Sequence, residues 1–251
     1  MDIWEGLPYH ASELADSWLT VVAINDTNKE AYYTNRCGVA QAFCVTAPGS
    51  SVKAAMANTS NRHITYSGTS MAAPHVSGIA AVLMQKFPSL SASAITARIK
   101  RTASVAGLKG KNGETVETHG MQVMRAIFGH GLINQTKASS QIGTLTLATG
   151  QNFFDEGSGI DITQQRLRLP LGLPSTVTHQ ILTDSFIAFD RFDGANFEVL
   201  GDEIFPQSPV SEPRRVLGYA TPKSQSGNPG HQHYTIGSLT FSQNSEARLS
   251  L

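Results

Sequence analysis

An α/β layer followed by a β-rich region is the architecture encoded by this chain of 251 residues. Three observations carry it. Short apolar runs rich in β-branched residues alternate with helical patterns as far as about residue 139. One helical stretch, Met71 to Phe87, is apolar nearly all round, as a central buried helix would be. From about residue 140 the pattern changes to short alternating segments, "TLTLATG", "RLRLPLGL", "SFIAFDRF" and "YTIGSLTF", parted by Pro, Gly, Ser and Asn clusters. The expected division is therefore 1–139 and 140–251.

Composition narrows the partners. The chain is 40% hydrophobic and 15% charged, an ordinary globular balance. Nineteen basic and nineteen acidic residues give zero formal net charge, which gives no ground for nucleic acid or an anionic membrane as a partner. Apolar runs such as "GIAAVLM" fall well short of the roughly 20 residues that span a bilayer, so no transmembrane segment is expected. "MDIWEGLPYH" has an acid at position 2 and no apolar core segment, so it does not read as a secretory signal.

The elements follow in order. Residues 1–16 read as irregular and polar. "WLTVVAIN" (18–25) and "AFCVTAPG" (42–49) suit strands buried on both faces, the second stopped by Pro48-Gly49. "DTNKEAYYTNR" between them reads as a surface loop. "VKAAMA" and "RHITYSG" read as short strands around the turn "NTSN". In the following helix Val76, Ile79, Ala80, Leu83, Met84 and Phe87 recur at helical spacing, and Pro88 ends it. "SLSASAITARIKRTA" starts another helix, capped by Ser91 or Ser93, with Leu90, Ile95 and Ile99 as its buried stripe. "GLKGKNGETVETHGMQ" reads as a surface loop, and "FGHGLINQTKAS" as a tight turn with a short closing element. "PQSPVSEPRR" and "PKSQSGNPGHQH" read as mobile loops.

Six residues lie between Cys37 and Cys44 in "RCGVAQAFC". That spacing allows a disulfide, and two thiols alone make a poor zinc site. Two reduced buried thiols are the alternative. His231 and His233 in "PGHQHY" could be read as a metal pair, but an isolated H-x-H in a Gly/Pro loop is more often solvated, and no metal site is assigned.

Ser70 is the residue with the strongest chemical signature. It follows Gly68-Thr69 and opens the apolar helix, where first-turn amides lack helical acceptors and point outward. Its own N–H can donate to an oxyanion built on the carbonyl it attacks. A serine there also suits a plain helix cap. "GTSMAAPHVSG", Gly68 to Gly78, decides between the two: it closely resembles the nucleophile motif of the subtilisin-like serine proteases, the subtilases. Five matched residues such as "GTSMA" would arise by chance in roughly one in ten thousand chains of this size. Gly68, Thr69, Met71, Pro74 and His75 are the supporting motif. "VTAPGSSV", "HITYSGTS", "FPSLSASAITARIKRTAS" and "FGHGLINQTKAS" resemble further family segments in the family's order, over roughly residues 18–139. Within the family the resemblance is closest to bacterial autotransporter subtilases, which implies a Cys37–Cys44 disulfide and an exported, secreted or cell-surface parent protein.

The resemblance implies an α/β fold with a mainly parallel sheet and peptide-bond hydrolysis through an acyl-enzyme, in the order Asp, His, Ser. It implies a polypeptide substrate and no cofactor; structural calcium, known in some subtilases, finds no site here. The "DTG"-like Asp turn, the "HGTxVAG"-like His motif and the "AAGN"-like oxyanion segment do not occur. Residues 1–139 thus read as the C-terminal half of the domain, with the N-terminal half a missing partner. His63, seven residues before Ser70 on an extended run, stands over roughly 20 Å of strand away. His10, His119 and His130 lie in loops or turns, and His75 belongs to the motif itself. Asp2, Asp16 and Asp26 read as loop acids. The expected function is a serine endopeptidase that is inactive as this chain alone. A non-enzymatic pseudoprotease, or a β-rich stalk or interaction module, is the alternative.

Overall fold

A computed structural model of the chain describes residues 6–57, 62–147, 160–163, 167–169 and 174–205, with short strands at 215–216, 221–223, 232–236, 239–243 and 249–250. It divides into two compact units, one ending at Ile142 and one beginning at Gly143.

The first unit opens with α1 (Leu7–His10) and a 3-10 turn over Ser12–Ser17, where an irregular segment was expected. Pro8 suits the first turn of α1, whose amides need no helical acceptor. β1 (Thr20–Ile24) and β2 (Cys44–Pro48) then pair in parallel, from Thr20 opposite Cys44 to Ile24 opposite Pro48. Cys44, Val45, Thr46 and Ala47 are all buried, as an apolar strand covered on both faces should be. Thr46 can be buried there because its hydroxyl donates to the Phe128 carbonyl at 2.9 Å. The far edge of β2 is paired too: Thr46 N–H donates to Gly131 O at 2.8 Å and Ile133 N–H to Thr46 O at 3.0 Å. Gly131 has φ 103°, and a Cβ there would lie 2.1 Å from the Ser104 carbonyl carbon, so this crossing admits only glycine.

β3 (Val52–Ala55) and β4 (His63–Tyr66) form an antiparallel hairpin. α2 (Thr69–Lys86) follows at once. Ala72, Val76 and Leu83, with Phe87 just beyond the helix, are buried. The expectation of burial all round is corrected here. Val82 is 39% and Met84 50% exposed. β1 and β2 pack against one side of α2, and the described elements leave much of its other side in solvent.

α3 (Ala92–Thr102) is capped by Ser91, whose hydroxyl accepts from Ala94 N–H at 3.2 Å. Ile95 and Ile99 are buried as expected, and Leu90 is only half-buried. Arg98, fully buried, donates from Nη1 to the carbonyls of Ala138 at 2.9 Å and Ser140 at 3.0 Å. Its guanidinium also stacks 4.5 Å from the Phe87 ring centroid.

The stretch read as a polar loop before Phe128 holds α4 (Val116–Phe128) instead. Thr115 and Thr118 form a capping box, and Met124, Ile127 and Phe128 supply a buried stripe. Glycines and charged residues hid both signals; Gly120, at φ 78°, kinks the helix without ending it. The loop 26–36 is a second correction, because Glu30 is 3% exposed. Arg36 grips it at 3.0 and 2.9 Å and bonds Glu114 at 2.8 Å. Lys111 N–H donates to Glu30 at 2.9 Å. A buried carboxylate held in this way is satisfied rather than stranded. α5 (Gln135–Ala138), capped by Asn134, closes the unit.

Cys37 and Cys44 are joined by a disulfide, with their Cα atoms 6.0 Å apart. They lie in a core with Val22, Ile24, Val105, Leu108, Met124, Ile127 and Phe128.

In the second unit β5 (Leu145–Leu147), β6 (Ile160–Asp161), β8 (Ser185–Asp190) and β9 (Asn196–Leu200) form an antiparallel sheet in the order β6-β5-β8-β9. β7 (Leu167–Arg168) pairs in parallel with β10 (Arg215–Val216). Helices α6 (Ser175–Thr183) and α7 (Gly201–Ile204) correct the expectation of strands alone. Val177 and Ile181 of α6 join Phe186, Ala188 and Val199 in one core. β11 (Thr221–Lys223), β12 (Gln232–Ile236), β13 (Leu239–Gln243) and β14 (Leu249–Ser250) make an antiparallel meander. His233 is in β12. His231, the segment 206–214 and the segment 224–231 lie outside the described residues. Among the described residues no helix is long and apolar enough to cross a membrane.

Candidate active site

Ser70 is the second residue of α2 and is exposed. Two backbone contacts build its setting. Gly49, just past β2, donates to Ile24 O at 2.9 Å, and its own carbonyl accepts from Gly68 N–H at 2.9 Å. The chain entering α2 is thereby tied to the ends of β1 and β2. A Cβ on Gly49 would meet Ala23 Cβ at 2.7 Å, Gly68 O at 2.8 Å and Ala72 Cβ at 3.1 Å. The steric need for glycine therefore sits at Gly49. Gly68, at φ 165° and ψ 162°, is ordinary extended backbone, and a Cβ there would meet nothing nearer than 3.5 Å. The sequence argument for a tight turn at Gly68 is corrected to a close approach opposite it.

The first turn of α2 leaves specific groups open. Ser70 N–H belongs to the amides with no acceptor inside the helix. Pro74, inside the helix, has no N–H to give the Ser70 carbonyl four residues before it. His75 turns its ring back, and its Nδ1 donates to Met71 O at 3.0 Å. That bond commits Nδ1 and leaves Nε2 as the free ring nitrogen. Thr69 and Met71 are half-buried, and Ala72 is the buried anchor of the turn. An open groove beside Ser70 is lined by Trp18, Leu19, Thr20 and Val21 on one side, with Thr69 and Ala73 on the other.

The structure brings no histidine to Ser70 Oγ among the described residues. His63 stands opposite Ala55 in the β3–β4 pairing, at the end of β4 away from Ser70. His130 Nε2 donates to Ala42 O at 3.0 Å, and burial lowers its pKa below the usual histidine value. His119 bonds Thr118 Oγ1 at 2.7 Å. His10 ends α1 and meets the Tyr9 ring edge-on. No group of three or more His, Cys, Asp or Glu among the described residues could hold a metal ion.

Sequence reasoning missed what stiffens this setting from behind. Tyr33 Oη and Ser50 Oγ share a hydrogen bond of 2.9 Å, linking the loop 26–36 to the turn that carries Gly49. Arg36 anchors that same loop to Glu114, 78 residues away. Glu114, bonded by backbone amides and by Arg36, is held at a pKa of about 2. No local pattern announces contacts of that separation.

The sequence profile of the subtilase family matches residues 2–131. The chain is 38% identical over 126 residues to an extracellular serine protease of Serratia marcescens, covering 42% of this chain and 12% of that protein. It is 38% identical over 92 residues to subtilisin DY of Bacillus licheniformis, covering 37% of this chain and 32% of that protein. The solved structure of the prenylagaramide maturation protease PagA aligns with a TM-score of 0.38 and 25% identity, over 48% of this chain and 40% of that one.

Proposed function

The chain belongs to the subtilase family of serine peptidases, and from that premise we propose that it carries the nucleophile half of an endopeptidase site. Ser70 is the nucleophile. Its Oγ attacks a peptide carbonyl carbon, and its proton passes to a histidine base outside this chain. The Ser70 N–H stabilises the resulting oxyanion. The C–N bond then breaks, the protonated amine leaves, and water releases the acyl group from Ser70.

The observation that carries this reading is the placement of Ser70: exposed, on the first turn of a helix locked to the sheet through Gly49 and Gly68, and beside an open groove. Among the described residues no histidine is bonded to Ser70 Oγ, and in this reading the base and acid come from a complementing segment of the subtilase domain. The chain spans only 12% of the Serratia protease and 32% of subtilisin DY, so those relatives have ample sequence for the remainder. The Cys37–Cys44 disulfide suits an exported parent protein.

The test is peptide hydrolysis by this chain mixed with the part of subtilisin DY outside the matched 92 residues. Hydrolysis that needs both pieces and disappears with Ser70→Ala is the expected result. Equal hydrolysis by the Ser70→Ala chain would remove Ser70 from the reaction.

A further inference from the structure

We propose that the first unit carries an anion site between the end of α3 and α5, where Arg101, Lys137, Ser104 and Thr136 bind a doubly charged phosphate group. It shares no lining residue with the groove beside Ser70 and does not depend on the chemistry of that serine.

Charge is segregated along the sequence. Nineteen acids and nineteen bases balance overall, but residues 31–113 and 118–154 hold eleven Lys and Arg and no Asp or Glu. A region with one sign of charge sets up a field that attracts the other. Within it lies a pocket of about 410 Å³, open to solvent and lined by Arg101, Ser104, Thr136 and Lys137, with Thr102 and Ser140 beside them. No carboxylate among the described residues lines it. Arg101 and Lys137 are exposed, and neither side chain is bonded to a described residue. Two cations on one pocket without a counter-charge leave the neutralising group to a ligand.

Both walls are fixed by bonds that a ligand need not supply. Ser104 N–H donates to Leu132 O at 3.1 Å, and Leu132 N–H donates to Ser104 O at 2.8 Å. On the other wall buried Arg98 holds the carbonyls of Ala138 and Ser140, and Lys86 Nζ donates to Ser139 O at 2.8 Å. Ser140 Oγ donates to Thr136 O at 2.7 Å. Arg98 and Lys86 are thus committed to backbone carbonyls, while Arg101 and Lys137 stay open. Ser104 Oγ accepts from Ala106 N–H at 3.2 Å, which leaves its O–H to donate. The Thr136 hydroxyl is bonded to no described residue. The open set is therefore a guanidinium fork, an ammonium and two hydroxyls. A carboxylate brings one charge and two oxygens and would leave part of that set unused. A phosphate group brings close to two charges and at least three acceptor oxygens, and matches it. Walls already in place keep the ordering cost of binding low.

The experiment titrates the whole chain with inorganic phosphate at about pH 8, where phosphate is a dianion, with sodium chloride holding the ionic strength constant. The amide resonances of Ser104 and Lys137 are followed. The expected result is a saturable shift at both, together with a rise in melting temperature. Changing Arg101→Gln and Lys137→Gln together raises the phosphate concentration at half-saturation at least about tenfold. Both side chains are exposed, so the buried Arg98 framework is untouched, and the titration of the unaltered chain stands whether or not the variant folds. A second arm offers vesicles of phosphatidic acid, with phosphatidylcholine vesicles as the blank. Capture on phosphatidic acid that free phosphate reverses supports the site with a lipid headgroup as its source. Saturation by phosphate without capture supports it with a free phosphate as its source. Shifts that do not saturate, that chloride alone reproduces, or that persist unchanged in the double variant would overturn the site.

Discussion

The Gly68 amide donates to the Gly49 carbonyl at 2.9 Å, and this bond sets where the Ser70 helix begins relative to the β1–β2 sheet. The two glycines approach so closely because Gly49 has no Cβ to press on Ala23 and Ala72. Gly49→Ala is expected to cost about 1–3 kcal/mol of stability, as overpacking against fixed backbone does. Urea unfolding measures it. An unchanged midpoint and slope would mean that the turn shifts freely.

Acid should loosen the clamp behind the site. The folded-state pKa of Glu114 lies at about 2, below the ordinary value of 4.5. Its lowered pKa means that the stability it contributes is fully present above pH 4.5 and is lost as pH falls towards 2. The melting temperatures of the unaltered chain and Glu114→Gln should differ at neutral pH and converge across that window. A constant difference from neutral pH down to the acid end would show that Glu114 is not the titrating group.

Arg98 should be costly to remove. Its guanidinium satisfies two buried carbonyls and stacks on Phe87. Arg98→Met keeps much of the volume and leaves both carbonyls without that donor, at an expected cost of about 2–3 kcal/mol. Thermal unfolding of the variant is the check, and a neutral result would show that water replaces the guanidinium.

Reduction should matter in the same range. The Cys37–Cys44 bond closes a short loop, with a sequence separation of 7. Chain entropy for a loop of that size predicts a loss of about 2–3 kcal/mol when both cysteines become serine. Denaturant unfolding of the double variant reads this directly.

Much of the layer around Ser70 was legible because local pattern and local structure agree there. "WLTVVAIN" and "AFCVTAPG" became parallel strands, and Ser91, one of the two caps expected, does cap α3. The misses share a cause. Val116–Phe128 is a helix whose cap is made by two threonines and whose first turns carry polar residues, so its apolar stripe shows only late. Glu30 and Arg98 are buried by partners six to 81 residues away in sequence. Spacing within a window cannot register such partners. The composition of α2 alone argued for burial on every side, and nothing within its own window marks Val82 and Met84 as exposed.

The central claim is that Ser70 has the placement of a nucleophile and has no histidine bonded to it among the described residues. Labelling with a serine-directed phosphonate tests it most directly. The chain alone should label at Ser70 no faster than its Ser70→Ala variant, and the mixture with the complementing subtilase segment should label rapidly at Ser70. Rapid labelling of Ser70 in the chain alone, abolished by Ser70→Ala, would contradict the divided site.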